Sequence, residues 1–561
     1  MTETTAASAE AVPADDRSAL AAVYASIDAL VDFAVRNLDL DPRDADWMRN
    51  NIFALFGLDS YGAQSRSPVV SADEAAVASE PSGEATQSDS GTDSSTGADS
   101  DSGTNPDSIA DFAYPDALLA DFRAAATAAG LFEAEEGPVY ADIIMGLLSQ
   151  RPSYVEDRFA VIELDGETGG KTDGESGGMA AMHWFYRYCV ANNYVEKAVL
   201  DKNPRFDSHG LVITINLAKP EFKNMKKAAA GNSVAGGYPK CTICHENEGF
   251  AGRNKRTLRT IPVTLGGEPW FWQFSPYGYF HQHGICVNTQ HTPMHVDRAT
   301  FVHLLDFVDR FPGYFLGCNA ALPRIGGSVL AHDHYQGGGE LLPMHKAAAW
   351  ATFAVPDFPD TVVEILDWPG TAVRVVSPSR EHIVEVSDRI REAWVNYDDP
   401  QQGIASHDAD GNRQSALSPS AIITGRGYEM SLIFRNNAVS EEYPEGIFHA
   451  HPEFWPIKQE PIGLIEAQGL FILPGRLVDQ LGMLEAALAA GEPLPEDCAE
   501  FHRQWDEISA KLDGARDPET IHAAVEDELG SVCERILGNT AVFKDKHTTA
   551  QFLRNLGMVL R

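Results

Sequence analysis

The sequence predicts an α+β protein, with a mainly helical N-terminal region followed by a body built on a largely antiparallel sheet. Apolar residues recur at helical spacing through 17–59 and again through 115–149. From residue 211 the texture changes to runs rich in β-branched and aromatic residues, at 211–217, 258–265, 270–274, 284–288 and 420–435. Helical patterns reappear at 297–310, 477–490 and 499–512.

In chain order, Leu20, Val23, Tyr24 and Ile27, then Leu30, Val31 and Phe33, mark one face of a first helix. Residues 67–108 are dominated by Ser, Thr, Gly, Asp and Glu, with almost no large apolar residues and no Lys or Arg, which predicts a disordered acidic insertion. Leu118, Leu119 and Phe122, then Ile144, Leu147 and Leu148, restore the helical period. Gly170-Lys171-Thr172 looks like the end of a phosphate-binding loop, but that motif needs glycine where Asp165 stands. Residues 164–178 are therefore expected to be a flexible loop, and the polar stretch 388–418 another. The predicted division is a helical segment 1–66, the insertion 67–108, a helical region 109–204, a catalytic half 205–375 and a second sheet-containing half 376–561.

At 561 residues with 44% apolar content, the chain can bury a sizeable core. It has no apolar run long enough to span a bilayer, and the acidic start Met1-Thr2-Glu3 is unlike a secretion signal. Seven cysteines scattered over this length do not form a disulfide framework, so a reducing cytoplasm is expected. A formal charge of −38 argues against nucleic-acid and anionic-membrane partners. An anionic substrate would then need a locally basic pocket. Arg253, Lys255, Arg256 and Arg259, with Arg324, are candidates, and a solvated basic face is the competing reading.

The chemistry centres on Gly326-Gly327-Ser328-Val329-Leu330-Ala331-His332-Asp333-His334-Tyr335-Gln336-Gly337-Gly338-Gly339. A strand from Val329 to Gln336 would place His332, His334 and Gln336 on one face and Asp333 and Tyr335 on the other. Flanking glycines let an anion approach the backbone closely. A nucleophile, a metal pair and two structural histidines all fit this stretch. Cys241-Thr242-Ile243-Cys244 suits a knuckle turn and half of a zinc site, with His291 and His332 as candidate partners; a redox pair or plain buried thiols also fit. His449-Ala450-His451 is a second His-x-His, open to a second metal site or to ordinary strand histidines.

Taken together these motifs resemble the class II galactose-1-phosphate uridylyltransferases, relatives of the histidine triad superfamily. The resemblance runs through Tyr238-Pro239-Lys240-Cys241, Asn247 to Arg253, Glu268-Pro269-Trp270-Phe271, His291-Thr292-Pro293-Met294, Asn319, Gly326 to Ser328 and His332 to Gly338. It continues through Ile462-Gly463-Leu464-Ile465-Glu466 and Leu473-Pro474-Gly475-Arg476, and covers most of 115–561. The resemblance implies a histidine-triad-like antiparallel sheet core. It also implies exchange of UMP between UDP-glucose and galactose 1-phosphate through a uridylyl-histidine, in galactose metabolism. By the same match His334 is the nucleophile, Gln336 contacts the uridylyl phosphate, and Asn319 and Ser328 contact substrate. Cys241, Cys244, His291 and His332 match a structural zinc site, and the superfamily's default is a homodimer. The alternatives are a nucleoside-phosphate phosphorylase or hydrolase of the same superfamily, or a zinc hydrolase using His332-Asp333-His334.

Overall fold

The computed structural model describes residues 14–58, 112–168, 176–217, 237–325 and 329–561. The acidic insertion at 67–108 and Ser328 lie outside the described residues. The chain divides into two compact units, residues 1–151 with 190–193, and residues 152–189 with 194–561.

The first unit is helical where described. Helices Ala14–Asn37, Ala45–Leu55, Asp116–Ala128 and Gly137–Leu148 bury Val23, Ile27, Leu30 and Val31 with Ile52, Leu119, Phe122 and Ile144. These are largely the residues whose spacing predicted helix, so the apolar stripe does what its period requires.

The second unit is organised by fourteen strands among the described residues. They are β1 Arg205–Ser208, β2 Leu211–Asn216, β3 Ile261–Leu265, β4 Glu268–Phe274, β5 Gly284–Asn288, β6 Phe315–Gly317 and β7 His334–Gly338. Then follow β8 Ala349–Val355, β9 Phe358–Leu366, β10 Ala372–Ser377, β11 Ser415–Thr424, β12 Gly427–Asn436, β13 Leu470–Pro474 and β14 Val559–Leu560. Eleven form one sheet in the order β14-β8-β9-β10-β12-β11-β6-β7-β5-β4-β3, and every described pairing in it is antiparallel. β1, β2 and β13 form a separate small sheet. The α+β class with a large antiparallel sheet is as the sequence predicts.

Helices cover the large sheet. Helix Arg298–Arg310 starts at Asp297, whose carboxylate accepts from the Ala299 and Thr300 amides, and it buries Phe301, Leu304, Leu305 and Val308. Helix Arg380–Val395 buries Ile383, Val386, Ile390 and Trp394. The Trp394 indole donates to the Ala416 and Arg435 carbonyls at 2.9 and 3.2 Å, so a large ring is buried with its polar atom satisfied.

Several local expectations change. The loop expected at 388–418 is confined to 396–414, because Ile390 and Trp394 continue a helix and β11 begins at Ser415. Residues 415–422 are all buried; small serines there pack tightly against neighbouring strands and read in sequence as loop. The run 420–435 is two strands, joined through Gly425 and Arg426. The loop expected at 164–178 is helical at both ends, in Pro152–Glu167 and Gly177–Ala191. Gly177 and Gly178 open that second helix because a Cβ on either would overlap a carbonyl oxygen, of Glu163 and Arg310 respectively. The strand expected from Val329 starts only at His334. Val329 has φ +64°, a conformation that interrupts an extended strand and is rare for a β-branched residue.

Candidate active site and metal cluster

β7 is the fourth strand from the β3 end of the large sheet, and it pairs on both sides. Val287 lies opposite His334 and Ile285 opposite Gln336 on β5, while Gly317 lies opposite Gln336 on β6. The pairing demands glycine at 337, where a Cβ would overlap the Phe315 carbonyl. Strand alternation puts His334 and Gln336 on one face. Tyr335 faces the other way, stacked on Trp270 at 4.7 Å and hydrogen-bonded to His303 Nδ1 at 2.9 Å.

His334 is buried, and burial lowers its pKa, so the imidazole is neutral near pH 7. Its Nδ1 lies 2.8 Å from the His332 carbonyl oxygen. A carbonyl can only accept, so Nδ1 carries the proton and Nε2 carries the lone pair. A ring with its proton held by the main chain and its second nitrogen unprotonated has its tautomer already chosen and a lone pair left to offer.

His332 lies before the strand and does something else. Its Nε2 donates to the Asn288 carbonyl at 2.8 Å. Its Nδ1 lone pair therefore faces Cys241 Sγ at 3.3 Å and Cys244 Sγ at 3.6 Å. The two sulfurs are 3.3 Å apart, and His291 Nδ1 is 3.2 Å from Cys244 Sγ. All four ligand atoms fall within 4.8 Å of one another. Tetrahedral zinc with bonds of about 2.0–2.3 Å has ligand-to-ligand edges of roughly 3.3–3.8 Å, close to the spacing found here. Burial pushes the Cys241 thiol up to about 12, so without a cation the pair would keep its protons. Donor set, spacing and the Asn288 carbonyl behind His332 all fit a four-ligand metal site.

Asn247 lies in a resembling motif, and sequence alone assigned it no role. Its Nδ2 donates to the carbonyls of Cys241 and Cys244, 2.8 Å each, and so ties the knuckle shut. Its position three residues after Cys244 was visible, but the bond it makes was not. Asp333 is buried between the two histidines in sequence, and burial pushes its carboxyl up to about 7. His295 Nδ1 approaches it at 3.8 Å.

The other candidates are placed as follows. Asn319 is buried and accepts from the Leu464 amide at 2.9 Å, which joins the end of β6 to the Ile462–Glu466 motif. Arg324 has φ +65° and donates to the Asn437 carbonyl at 2.8 Å. The basic cluster near 253–259 is drawn into the fold. Arg253 donates to Pro239, Arg259 is buried on the Arg256 and Leu258 carbonyls, and burial lowers Lys255 to about 8. His449 and His451 bond the carbonyls of Ala450 and Ile447, at 3.1 and 3.0 Å. Among the described residues they join no group of metal ligands.

A family model described as the N-terminal domain of galactose-1-phosphate uridyl transferase matches residues 168–293, and its C-terminal counterpart matches 307–507. A galactose-1-phosphate uridylyltransferase of Bifidobacterium longum is 70% identical over 549 residues, 97% of this chain and 99% of that protein. The chain belongs to the galactose-1-phosphate uridylyltransferases. A second member, from Latilactobacillus sakei, is 37% identical over 75% of this chain and 84% of its own length. Among solved structures, yeast Ap4A phosphorylase Apa2 aligns at TM-score 0.26 and 9% identity, over 52% of this chain and 88% of that one; a score this low carries no argument. No helix among the described residues is long and apolar enough to cross a membrane.

Proposed function

We propose that this uridylyltransferase exchanges UMP between UDP-glucose and galactose 1-phosphate through His334. The observation that supports the assignment is the 2.8 Å contact between His334 Nδ1 and the His332 carbonyl. It leaves Nε2 as the attacking atom. Nε2 forms a bond to the α-phosphorus of UDP-glucose, and the bond to glucose 1-phosphate breaks. The ring becomes positively charged as the N–P bond forms, and the Nδ1 proton shares that charge with the carbonyl. The phosphate oxygen of galactose 1-phosphate then attacks phosphorus, and the neutral imidazole leaves. Gln336, on the same face, donates its amide N–H to a phosphoryl oxygen and orients the group for each in-line step. Asn319, Arg324 and Ser328 are the proposed substrate contacts.

The Cys241, Cys244, His291 and His332 cluster could hold a metal, and zinc is the proposed ion. Its part is structural. By fixing the His332 side chain it fixes the carbonyl on which the His334 proton rests. Against a zinc hydrolase built on His332-Asp333-His334, His334 turns one nitrogen to the His332 carbonyl and is not among the clustered ligands. The proposal includes a cytoplasmic homodimer without nucleic-acid or membrane partners, and light scattering in solution tests the mass.

The decisive experiment incubates the protein with UDP-glucose labelled at the α-phosphate and no acceptor. Acid-labile, base-stable label on His334 is the expected result. Absence of label, with metal-dependent hydrolysis retained, would overturn the assignment.

A further inference from the structure

The residue the proposed mechanism leaves unused is His283, just before β5. It is 4% exposed, and neither ring nitrogen meets a partner at full hydrogen-bond geometry, although the Gln336 side chain lies near enough to raise its proton affinity. Buried polar atoms in native folds nearly always have partners, so two orphaned nitrogens on one ring need a reason. The ring is also not free to turn away. It stacks on Tyr279 at 4.7 Å and 25° and meets Phe280 at 4.7 Å and 40°.

Sheet register says what this ring faces. Ile285 lies opposite Gln336, so their side chains share a face. His283 is two residues before Ile285 and, with the extended alternation continued, falls on that face too. His283 is thus the diagonal neighbour of Gln336, a backbone separation of about 7–8 Å that two long polar side chains bridge. Directly across from His283 the chain carries Gly338, where a Cβ would lie 2.7 Å from Phe280 Cε2. The glycine keeps that space for the rings. Burial holds the His283 pKa down to about 4, and the nearby Gln336 side chain partly opposes that effect. The imidazole is therefore neutral at working pH, with one N–H to donate.

Gln336 has a two-ended amide. Only its NH2 end helps a phosphoryl group; its carbonyl end would repel one. Nothing in the strand itself decides which end faces the substrate. We propose that His283 is a positioning residue that donates its ring N–H to Gln336 Oε1 and so holds the Gln336 NH2 toward the phosphoryl group on His334. The proposal rests on the reading of Gln336 as phosphate contact. It moves no proton and breaks no bond. Its effect is to choose one of two amide orientations before substrate arrives, which removes a reorganisation step from the transition state.

A double-mutant cycle on the full-length chain tests it, with kcat and KM for exchange, metal content and thermal unfolding all measured. Loss of one orienting hydrogen bond predicts that His283→Phe lowers kcat about 10-fold with KM changed less than about 2-fold. Gln336→Leu lowers kcat at least as far. The double variant falls no further than Gln336→Leu alone, because His283 acts only through that amide. His283→Gln, which restores a donor on a comparable reach, recovers most of the loss. Metal content and melting of His283→Phe stay near those of the parent, which separates positioning from a packing defect. If the two single effects multiply in the double variant, or if His283→Phe leaves kcat unchanged while Gln336→Leu is impaired, the proposal is wrong and the role of Gln336 stands. If Gln336→Leu is itself silent, the role of Gln336 fails first and takes this proposal with it. Should His283→Phe not fold, His283→Asn, whose shorter amide cannot reach Gln336, replaces it in the same cycle with the same outcomes.

Discussion

The chain carries His-x-His twice, at His332–His334 and at His449–His451, and the two copies come to different ends. All four rings place one nitrogen against a main-chain carbonyl: Asn288 for His332, His332 for His334, Ala450 for His449 and Ile447 for His451. The difference is what the other nitrogen meets. For His332 it is a pair of sulfurs delivered by a turn some ninety positions upstream. For His334 it is the face of β7 shared with Gln336. His449 Nε2 is buried without a partner, and the His451 ring stacks on Tyr443 at 4.0 Å. The motif supplies two imidazoles, and main-chain carbonyls from inside or outside it hold one nitrogen of each; the two copies differ in what the second nitrogen meets.

Removing the most consequential of those second nitrogens gives the largest expected effect. His334→Gly is expected to abolish uridylyl transfer, a loss of at least about 10⁴-fold in kcat, since the proposed covalent route has no other nucleophile. Metal content and melting temperature stay close to those of the parent chain, because His334 holds no ligand position. Exchange kinetics and metal analysis on one preparation read both. Retained exchange would move the nucleophile elsewhere.

His332→Ala breaks the comparison from the other side. It removes a proposed metal ligand and the anchor of the carbonyl behind His334. Metal content falls well below that of the parent, and stability drops by about 2–5 kcal/mol, as losing a structural metal does. Activity falls too, but residual exchange survives in a folded fraction, unlike His334→Gly. Cys244→Ser behaves the same way. Full metal content in either variant would show that the ion, if bound, sits elsewhere. Asn247→Ala is milder. It leaves the ligands in place but frees two buried carbonyls, at a cost of about 1–3 kcal/mol, seen as easier metal loss to a chelator and a lower melting temperature.

The contrast also marks what sequence makes legible. The cysteine pair and the His334–Gln336 face follow from C-x-x-C spacing and strand alternation, both local rules, whereas joining His291 and His332 to the cysteines rested on the family resemblance. Where β7 begins was not local. Val329 and Leu330 are strand formers, yet the chain turns there to bring the His332 ring to Cys241 and Cys244, so tertiary demand overrides propensity. The helices of 115–149 were readable from their period. The serine-rich start of β11, read as loop, was not, since its small residues suit close approach more than hydrophobic packing. The role of His283 is invisible in one dimension, because it depends on Ile285 meeting Gln336 across fifty-one positions.

The smallest effect belongs to the second motif. His451→Ala removes one hydrogen bond to the Ile447 carbonyl and a stacked contact with Tyr443. Both lie near the surface, where water takes over the freed carbonyl, so the expected loss is only about 0.5–1.5 kcal/mol. Metal content and exchange kinetics are expected to match the parent, since no other ligand group converges on this ring among the described residues. Urea unfolding reads the stability change, and metal analysis of the same sample reads the rest. A lost equivalent of metal in His451→Ala would mean that the second His-x-His also has a partner for its free nitrogen, and the two motifs would then be alike in kind.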